Sequence, residues 1–271
     1  MPLFTTFDLV TEEAVQAALS TAVLGRKLQV LEEVPSTNTT AVALAQQGAS
    51  DGMTVVAERQ SAGRGRLGRV WHSPPRKNLY CSVILRKLPA PDRLAWLPLI
   101  AATAAVRAVQ VVSRLQPSLK WPNDLMIGTR KLGGLLCESG GTGAGMFVVV
   151  GIGVNVNVRA EDFPEDLREI ATSMWAEGQR PFDRAVLLAA LLSELEIRRD
   201  SLLSDRSEHL LDEYRIRCAT IGRQVRVQLA DGDVLEGRAE SVTQDGSLRL
   251  VRGPSRGEAI DITAGDVVHL R

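Results

Sequence analysis

Three short stretches combine residue types that could handle an anion. The first is Gly63-Arg64-Gly65-Arg66-Leu67-Gly68-Arg69. Glycines let backbone N–H groups turn inward onto a negative group, and guanidinium groups grip phosphate or carboxylate in a bidentate fork. The spacing satisfies G-x-G-x-x-G, a dinucleotide fingerprint, but the context does not. That fingerprint must open a helix whose N-terminus meets the pyrophosphate, and here Val70-Trp71-His72-Ser73-Pro74-Pro75 follows. What remains is a flexible cationic loop that binds an anion, or a plain solvated basic loop. The second stretch is Lys120-Trp121-Pro122-Asn123-Asp124 with Lys131-Leu132-Gly133-Gly134. Pro122 ends a strand, so Asn123 and Asp124 fall at its exposed end, and the following turn can fold Lys131 back beside them. The bland alternative is a hairpin with a surface lysine. The third is Gly151-Ile152-Gly153-Val154-Asn155-Val156-Asn157. Glycine inside a strand marks a close approach by ligand or backbone, and Asn155 and Asn157 share one face, where amides could read a base edge or a ribose. A β-bulge ending in asparagine would look the same.

The elements that must position these groups are legible in outline. Residues 11–20 read as a short helix and Leu28–Val34 as a strand stopped by Pro35. Ser36, Thr37 and Asn38 are N-cap types ahead of an alanine-rich helix reaching Gln47. Residues 53–57 and 78–86 read as strands, and 92–115 as one long buried helix. A short strand at 119–121 precedes a hairpin formed by 126–127 and 131–138 around Gly128-Thr129. Residues 140–145 read as a flexible turn and 147–158 as a strand. Asp183 caps a helix to Leu203 with a stripe of Leu187, Leu188, Leu191, Leu192 and Leu195, and another helix covers 207–217. Beyond Ile221 come five short alternating strands with Asp-Gly and Gly turns, the pattern of a small barrel. A boundary near Thr220 divides the chain into 1–219 and 220–271.

Composition narrows the class. The chain has 271 residues, 45% hydrophobic and 24% charged, ordinary for a globular protein. That length suits one large domain with a small appendage. Lys plus Arg and Asp plus Glu are 32 each, and zero net charge argues against a general nucleic-acid binder. The longest charge-free apolar run, between Arg93 and Arg107, contains Pro98 and falls short of the about 20 apolar residues that a membrane span needs. Residues 1–9 show no secretory signal. Cys81, Cys137 and Cys218 form no CxxC pair, so neither a zinc site nor a disulfide framework is expected, and a cytoplasmic location is the simplest expectation.

Taken in order, Ser36-Thr37-Asn38, the loop 63–69, Lys120 to Asp124 with Lys131 to Gly134, and the strand from Gly151 to Asn155 resemble the motifs of biotin–protein ligases. The likeness runs from about Val30 to the end of the chain. It implies an α+β fold, a mixed sheet with helices like the catalytic domain of class II aminoacyl-tRNA synthetases, followed by an SH3-like β-barrel. It implies two steps: biotin and Mg-ATP give biotinyl-5′-AMP and pyrophosphate, then the acyl group passes to a lysine of a biotin carboxyl carrier protein or domain. By match to the family, Lys131, Arg66 and Asp124 are catalytic, Asp124 orienting the acceptor lysine or merely capping its turn. Ser36, Thr37, Asn38, Gln60, Gly63, Arg64, Gly65, Arg66, Trp71, Lys131 and Gly134 bind biotin, Trp71 alternatively being a core residue. Arg66, Arg69, Trp71, Asn123, Lys131 and Asn155 bind the nucleotide. ATP brings its Mg2+ with it, so no fixed metal site is implied.

Two departures stand out. Gly133 replaces a frequent alanine, a change expected to be tolerated, and Ser61 follows Gln60 where a second glutamine is common. The stretch before Leu28 is too short for a winged helix-turn-helix, so a ligase that does not repress transcription, with no DNA or membrane partner, is expected. The rivals are a lipoate or octanoate–protein ligase of the same fold and, from another class, a nucleic-acid-binding module.

Overall fold

The computed structural model describes residues 9–143, 145–204, 206–229, 231–253 and 257–270. Helix α1 (Glu12–Ala18) leads into β1 (Leu28–Val34), α2 (Thr37–Gln46), β2 (Thr54–Gln60) and β3 (Leu79–Leu85). Helix α3 (Trp96–Ser113) precedes β4 (Ser118–Lys120), β5 (Asp124–Ile127), β6 (Arg130–Thr142) and β7 (Gly145–Val154). Helices α4 (Met174–Gly178), α5 (Arg184–Leu203) and α6 (Glu208–Arg217) follow. Strands β8 (Gln224–Gln228), β9 (Val234–Val242), β10 (Leu248–Val251), β11 (Ala259–Ile262) and β12 (Asp266–His269) close the chain.

The large sheet has the order β1-β2-β3-β7-β6-β5-β4. Its β1–β2 pair is parallel and the other pairs are antiparallel, so the sheet is mixed. Strands β3 and β7 are apolar at nearly every position, and β2 is buried from Thr54 to Glu58, because both faces are covered. Val55, Ile84, Phe147 and Val149 meet Ala41 and Ala45 of α2 on one face. Val56, Val83, Leu85, Val150 and Ile152 face the main core with α3 and α5 on the other. Helix α3 is long and apolar enough to cross a bilayer, yet its apolar surface is engaged by β4–β7 on one side and by α5 and α6 on the other.

Several boundaries differ from expectation for local reasons. The helix expected over 92–115 is broken into a 3₁₀ turn at Pro91–Arg93 and α3. Pro98 is tolerated because it falls in the first turn of α3, where backbone N–H groups have no partner inside the helix. Strand β6 continues through the expected turn to Thr142, and Gly140 pairs with Phe147 across the hairpin, its missing side chain making room for the phenyl ring; residue 144 of that turn lies outside the described residues. Strand β7 stops at Val154 because the backbone beyond it leaves the ladder, Asn155 N donating to Leu132 O and Asn157 N to Lys77 O, each at 2.8 Å. Asn78 Oδ1 accepts from Val156 N at 2.9 Å, and Asn157 Oδ1 accepts from Phe182 N at 2.9 Å.

The C-terminal strands form an antiparallel sheet in the order β11-β10-β9-β8-β12. This small antiparallel domain stands where the SH3-like barrel was expected, and among the described residues no pairing joins β11 to β12. Its apolar face, with Val225, Val227, Ala239 and Leu250, is continuous with the main core. Two indoles fasten it: Trp96 Nε1 donates to Gln244 O at 2.6 Å and Trp121 Nε1 to Gly246 O at 3.0 Å. Trp121 N also donates to Thr220 Oγ1 at 3.1 Å. The strand end that carries Lys120 and the small sheet are thereby held in one register.

Candidate active site

Residues directly opposite on paired strands point to the same face of a sheet. One such row crosses five strands: Lys120 on β4, Asp124 on β5, Gly134 on β6, Gly153 on β7 and Tyr80 on β3. The next row holds Leu136, Gly151 and Ser82. These rows continue the face that α2 covers, just past the start of that helix, and form the floor of a cavity of about 480 Å³, within the usual range for small-ligand sites.

The strand glycines admit close approach by side chains of the chain itself. A Cβ on Gly151 would sit 1.9 Å from Asn38 Oδ1, and one on Gly153 would sit 2.9 Å from the Trp71 indole. Asn38 and Trp71 are thus laid directly on the sheet. An alanine at 133 would put its Cβ 2.6 Å from Gly153 O. The glycine at 133 therefore lets the two strand backbones lie closer than an alanine would allow.

Lys131 reaches the floor through a bulge. Leu125 pairs with Gly133 but Met126 with Lys131, so Leu132 is an extra residue on β6. Simple alternation from Gly134 would turn Lys131 toward the core, and the bulge re-aims it. Lys131 Nζ lies 2.7 Å from Asp124 Oδ1 and 5.5 Å from the centre of a Trp71 ring. A Cβ on Gly134 would come within 3.3 Å of Lys131 Cε, so that glycine keeps space for the lysine.

The polar end is built at the start of α2. Ser36 takes the N-cap position, but its hydroxyl makes no capping bond. Gln60 Oε1 accepts from Thr37 N at 2.9 Å and from Thr37 Oγ1 at 3.3 Å. Asn38 Oδ1 accepts from Ser82 Oγ at 2.7 Å, and Asn38 Nδ2 donates to Leu136 O at 3.0 Å and Glu138 Oε2 at 2.8 Å.

The Gly-Arg loop covers this floor. Gly65 N donates to Arg69 O at 2.7 Å and Trp71 N to Gly63 O at 2.9 Å, which folds the loop back on itself. Each arginine has its own anchor. Arg64 Nη2 donates to both oxygens of Glu138, at 3.0 and 2.8 Å. Arg66 Nη1 donates to Asn123 Oδ1 at 3.3 Å. Arg69 forms an ion pair with Asp266 of β12. Five Lys and Arg side chains, Arg64, Arg66, Arg69, Lys120 and Lys131, line the cavity against two carboxylates, Asp124 and Asp266. Burial pulls the Arg66 guanidinium below its ordinary value, opposed by Asp124 and Asp266. Burial works to raise Asp266, but its bond to Arg69 and the charges of Arg69, Lys120 and Lys131 leave it below the usual carboxylate value.

Ser36, Thr37, Asn38, Gln60, Arg64, Gly65, Arg66, Arg69, Trp71, Asn123, Asp124, Lys131, Gly134 and Asn155 all border the cavity. Gly63 is set back from the wall: a Cβ there would meet Trp71 O and Ser73 Oγ at 2.7 Å, so its role is to seat the root of the loop. The polar atoms of Asn155 already serve the fold, its Oδ1 accepting from Asn78 Nδ2 at 3.2 Å and its Nδ2 donating to Thr172 O at 3.0 Å. Asn157 is turned into the protein and donates to Phe182 O. Sequence reasoning missed Tyr80, His72, the apolar wall of Phe163, Leu167 and Ile170, and the β12 edge with Asp266 and Val268. Tyr80 could have been found by strand alternation. The wall segment has no motif, and Asp266 lies far along the chain from the arginine it holds.

Comparison with known proteins gives this architecture a family. Residues 30–155 match the biotin/lipoate A/B protein ligase family, and residues 220–270 match the biotin protein ligase C terminal domain. The chain is 38% identical over 253 residues to a biotin–[acetyl-CoA-carboxylase] ligase of Mycobacterium tuberculosis, covering 91% of this chain and 90% of that one. It is 33% identical to the bifunctional ligase/repressor BirA of Bacillus spizizenii, covering 89% of this chain and 74% of that protein. A solved biotin protein ligase from Aquifex aeolicus, in complex with biotin and ATP, superposes with a TM-score of 0.77 at 27% identity, over 91% of this chain and 99% of the other. With its glycine-floored cavity, arginine loop and C-terminal sheet, the chain belongs to the biotin protein ligase family.

Proposed function

We propose that this cavity joins biotin to ATP and then passes the biotinyl group to a lysine of a biotin carboxyl carrier domain. The observation that carries the reading is the Lys131–Asp124 pair on a glycine floor, roofed by a loop whose arginines are held in place. In the first step a biotin carboxylate oxygen bonds to the α-phosphorus and the bond to pyrophosphate breaks. Both reactants are anionic, so fixed cations must bring them together and stabilise the charge on the phosphoryl oxygens. Lys131 and Arg66 supply those charges, and removing one such donor typically costs about 10²–10³ in rate.

The polar end suits the ureido ring, which offers one C=O and two N–H groups. The Ser36 hydroxyl has no partner in the chain among the described residues, and Thr37 and Asn38 border the same space. Trp71 covers the ligand above Gly153. The loop excludes water from an acyl-adenylate that hydrolyses readily. Asp124, held beside Lys131, is placed to orient the acceptor amine in the second step. Arg69 and Asn123 face the nucleotide side, where Mg2+ would travel on the triphosphate; among the described residues no three of His, Cys, Asp and Glu are grouped to hold an ion, and Mg2+ is commonly held by one or two carboxylates plus substrate phosphates. The unpaired thiols Cys81, Cys137 and Cys218 suit a reducing compartment, and the cytoplasm is part of this proposal.

A lipoate ligase would share the family match over residues 30–155, but the C-terminal match is to a biotin ligase domain, which favours biotin. The test is pyrophosphate release with ATP and either biotin or lipoate, followed by transfer of label to a carrier domain. Biotin-dependent release and transfer are expected. Release and transfer with lipoate alone would refute the reading.

A further inference from the structure

Lys120 differs from every other cation in the cavity. Arg64 is held by Glu138, Arg66 by Asn123, Arg69 by Asp266 and Lys131 by Asp124. Among the described residues, Lys120 alone of the five lining Lys and Arg side chains has no ion-pair or hydrogen-bond partner for its ammonium. Its place is fixed all the same. It sits directly opposite Asp124 across β4–β5, and Leu119 beside it is fully buried in the core, so alternation turns Lys120 to the cavity face. Asp124 could have neutralised it, but that carboxylate bonds Lys131 instead. The strand end is held rigidly, because Trp121 donates through its backbone N–H to Thr220 Oγ1 and through its indole to Gly246 O. On its far side Lys120 looks toward β12, where its charge helps depress both Asp266 and His269.

A half-buried ammonium that the fold positions yet leaves unpaired is a site awaiting an anion. We propose that Lys120 is a further catalytic residue, one that grips the β- and γ-phosphates of ATP and the pyrophosphate they become. This rests on the ligase reading above and adds a division of labour to it. Lys131 and Arg66 serve the reacting α-phosphate. Lys120, two strands along the sheet from Lys131, serves the leaving group. When the biotin carboxylate oxygen bonds to the α-phosphorus, the bridging P–O bond breaks and its electron pair stays on the departing pyrophosphate. That group gains negative charge as it leaves, and a fixed ammonium beside it lowers the barrier. Once pyrophosphate has gone, Lys120 has nothing left to hold, so the transfer step proceeds without it.

That asymmetry supplies the test. Lys120→Met and Lys120→Gln are assayed on the full chain in each half-reaction separately. Adenylate formation is followed by pyrophosphate release from ATP and biotin, and transfer by biotinylation of a carrier domain from added biotinyl-5′-AMP. Both variants are expected to lose on the order of 10²-fold in kcat/KM for ATP, and inhibition by added pyrophosphate should weaken in parallel. Transfer from supplied biotinyl-5′-AMP should stay within about twofold of wild type, because that substrate lacks the leaving group. Lys120→Arg, which keeps the charge, should recover much of the first step. Losses of equal size in both half-reactions would assign Lys120 to the fold and overturn the proposal. So would unchanged ATP kinetics and unchanged pyrophosphate inhibition in an active enzyme. Failure of the wild-type chain to release pyrophosphate from ATP and biotin would overturn the ligase reading as well, so the two failures are distinguishable.

Discussion

Replacing Gly151 by alanine should damage the biotin end of the cavity without touching any ligand atom. The added Cβ would lie 1.9 Å from Asn38 Oδ1, 2.7 Å from its Cγ and 3.0 Å from its Nδ2. Ordinary carbon contacts are about 3.5–4.0 Å, so the amide must move by more than an ångström. Movement on that scale breaks the bonds from Ser82 Oγ, to Leu136 O and to Glu138. Neutral bonds contribute about 1 kcal/mol net and one to a charged group about 1.5–3 kcal/mol, giving on the order of 3–5 kcal/mol if all are lost. For a chain of this size that is roughly a 10 °C fall in Tm. Calorimetry measures it directly, and biotin titration should show affinity weakened by at least about tenfold if one bond-equivalent of about 1.4 kcal/mol is lost from the site. The double variant Gly151→Ala with Asn38→Ala has room for the methyl group, so its cost should match that of Asn38→Ala alone. Two penalties that simply add would show that the sites do not meet, and a Tm within a degree of wild type for Gly151→Ala would refute the reasoning outright.

Other outcomes follow from the same geometry. Arg66→Gly should loosen the roof, so biotinyl-5′-AMP escapes into solution and labels bystander lysines; retention equal to wild type would remove Arg66 from that role. Lys131→Ala should cut pyrophosphate release by about 10²–10³-fold while the melting curve stays near wild type. Asp266→Asn should free Arg69 and raise the ATP KM, and adding salt to the wild-type chain should reproduce part of that rise because this pair is exposed. His269 is pushed down to about 4 by burial and by the charges of Lys120 and Arg223. The unfolded chain therefore takes up this proton first, and stability should fall as pH drops from about 6.5 toward 4. His269→Gln should flatten that slope in acid unfolding curves, by less than the full linkage value because the ring is partly exposed.

How much of this was legible depends on what kind of information each feature uses. The motifs at 36–38, 63–69, 120–134 and 151–155 converge on one cavity because each sits at a strand end or loop that local sequence already marks. Period-two patterning found most strands, but the glycine-rich stretch expected as a turn at 140–145 is strand as far as Thr142. The placement of Lys131 was right for a reason the pattern could not supply, since only the bulge at Leu132 turns it to the floor. The strand glycines were expected to admit a ligand or backbone, and the groups lying over Gly151 and Gly153 are the side chains of Asn38 and Trp71. Asn155 and Asn157 misled for a related reason: β7 ends at Val154, and their amides bond Asn78, Thr172 and Phe182 instead of facing one open side. Long-range partners such as Asp266 for Arg69, and the apolar wall around Ile170, depend on tertiary packing that no local pattern encodes.

The floor has one more consequence. Glycine is the smallest residue, so any replacement at 134, 151 or 153 adds atoms, and mutation at those three positions can only shrink the chamber. Room for a bulkier acid is gained at side chains such as Phe163, Leu167 or Ile170, where trimming removes volume. Variation in the size of acid accepted should therefore be recorded in that wall, while the sheet beneath stays bare.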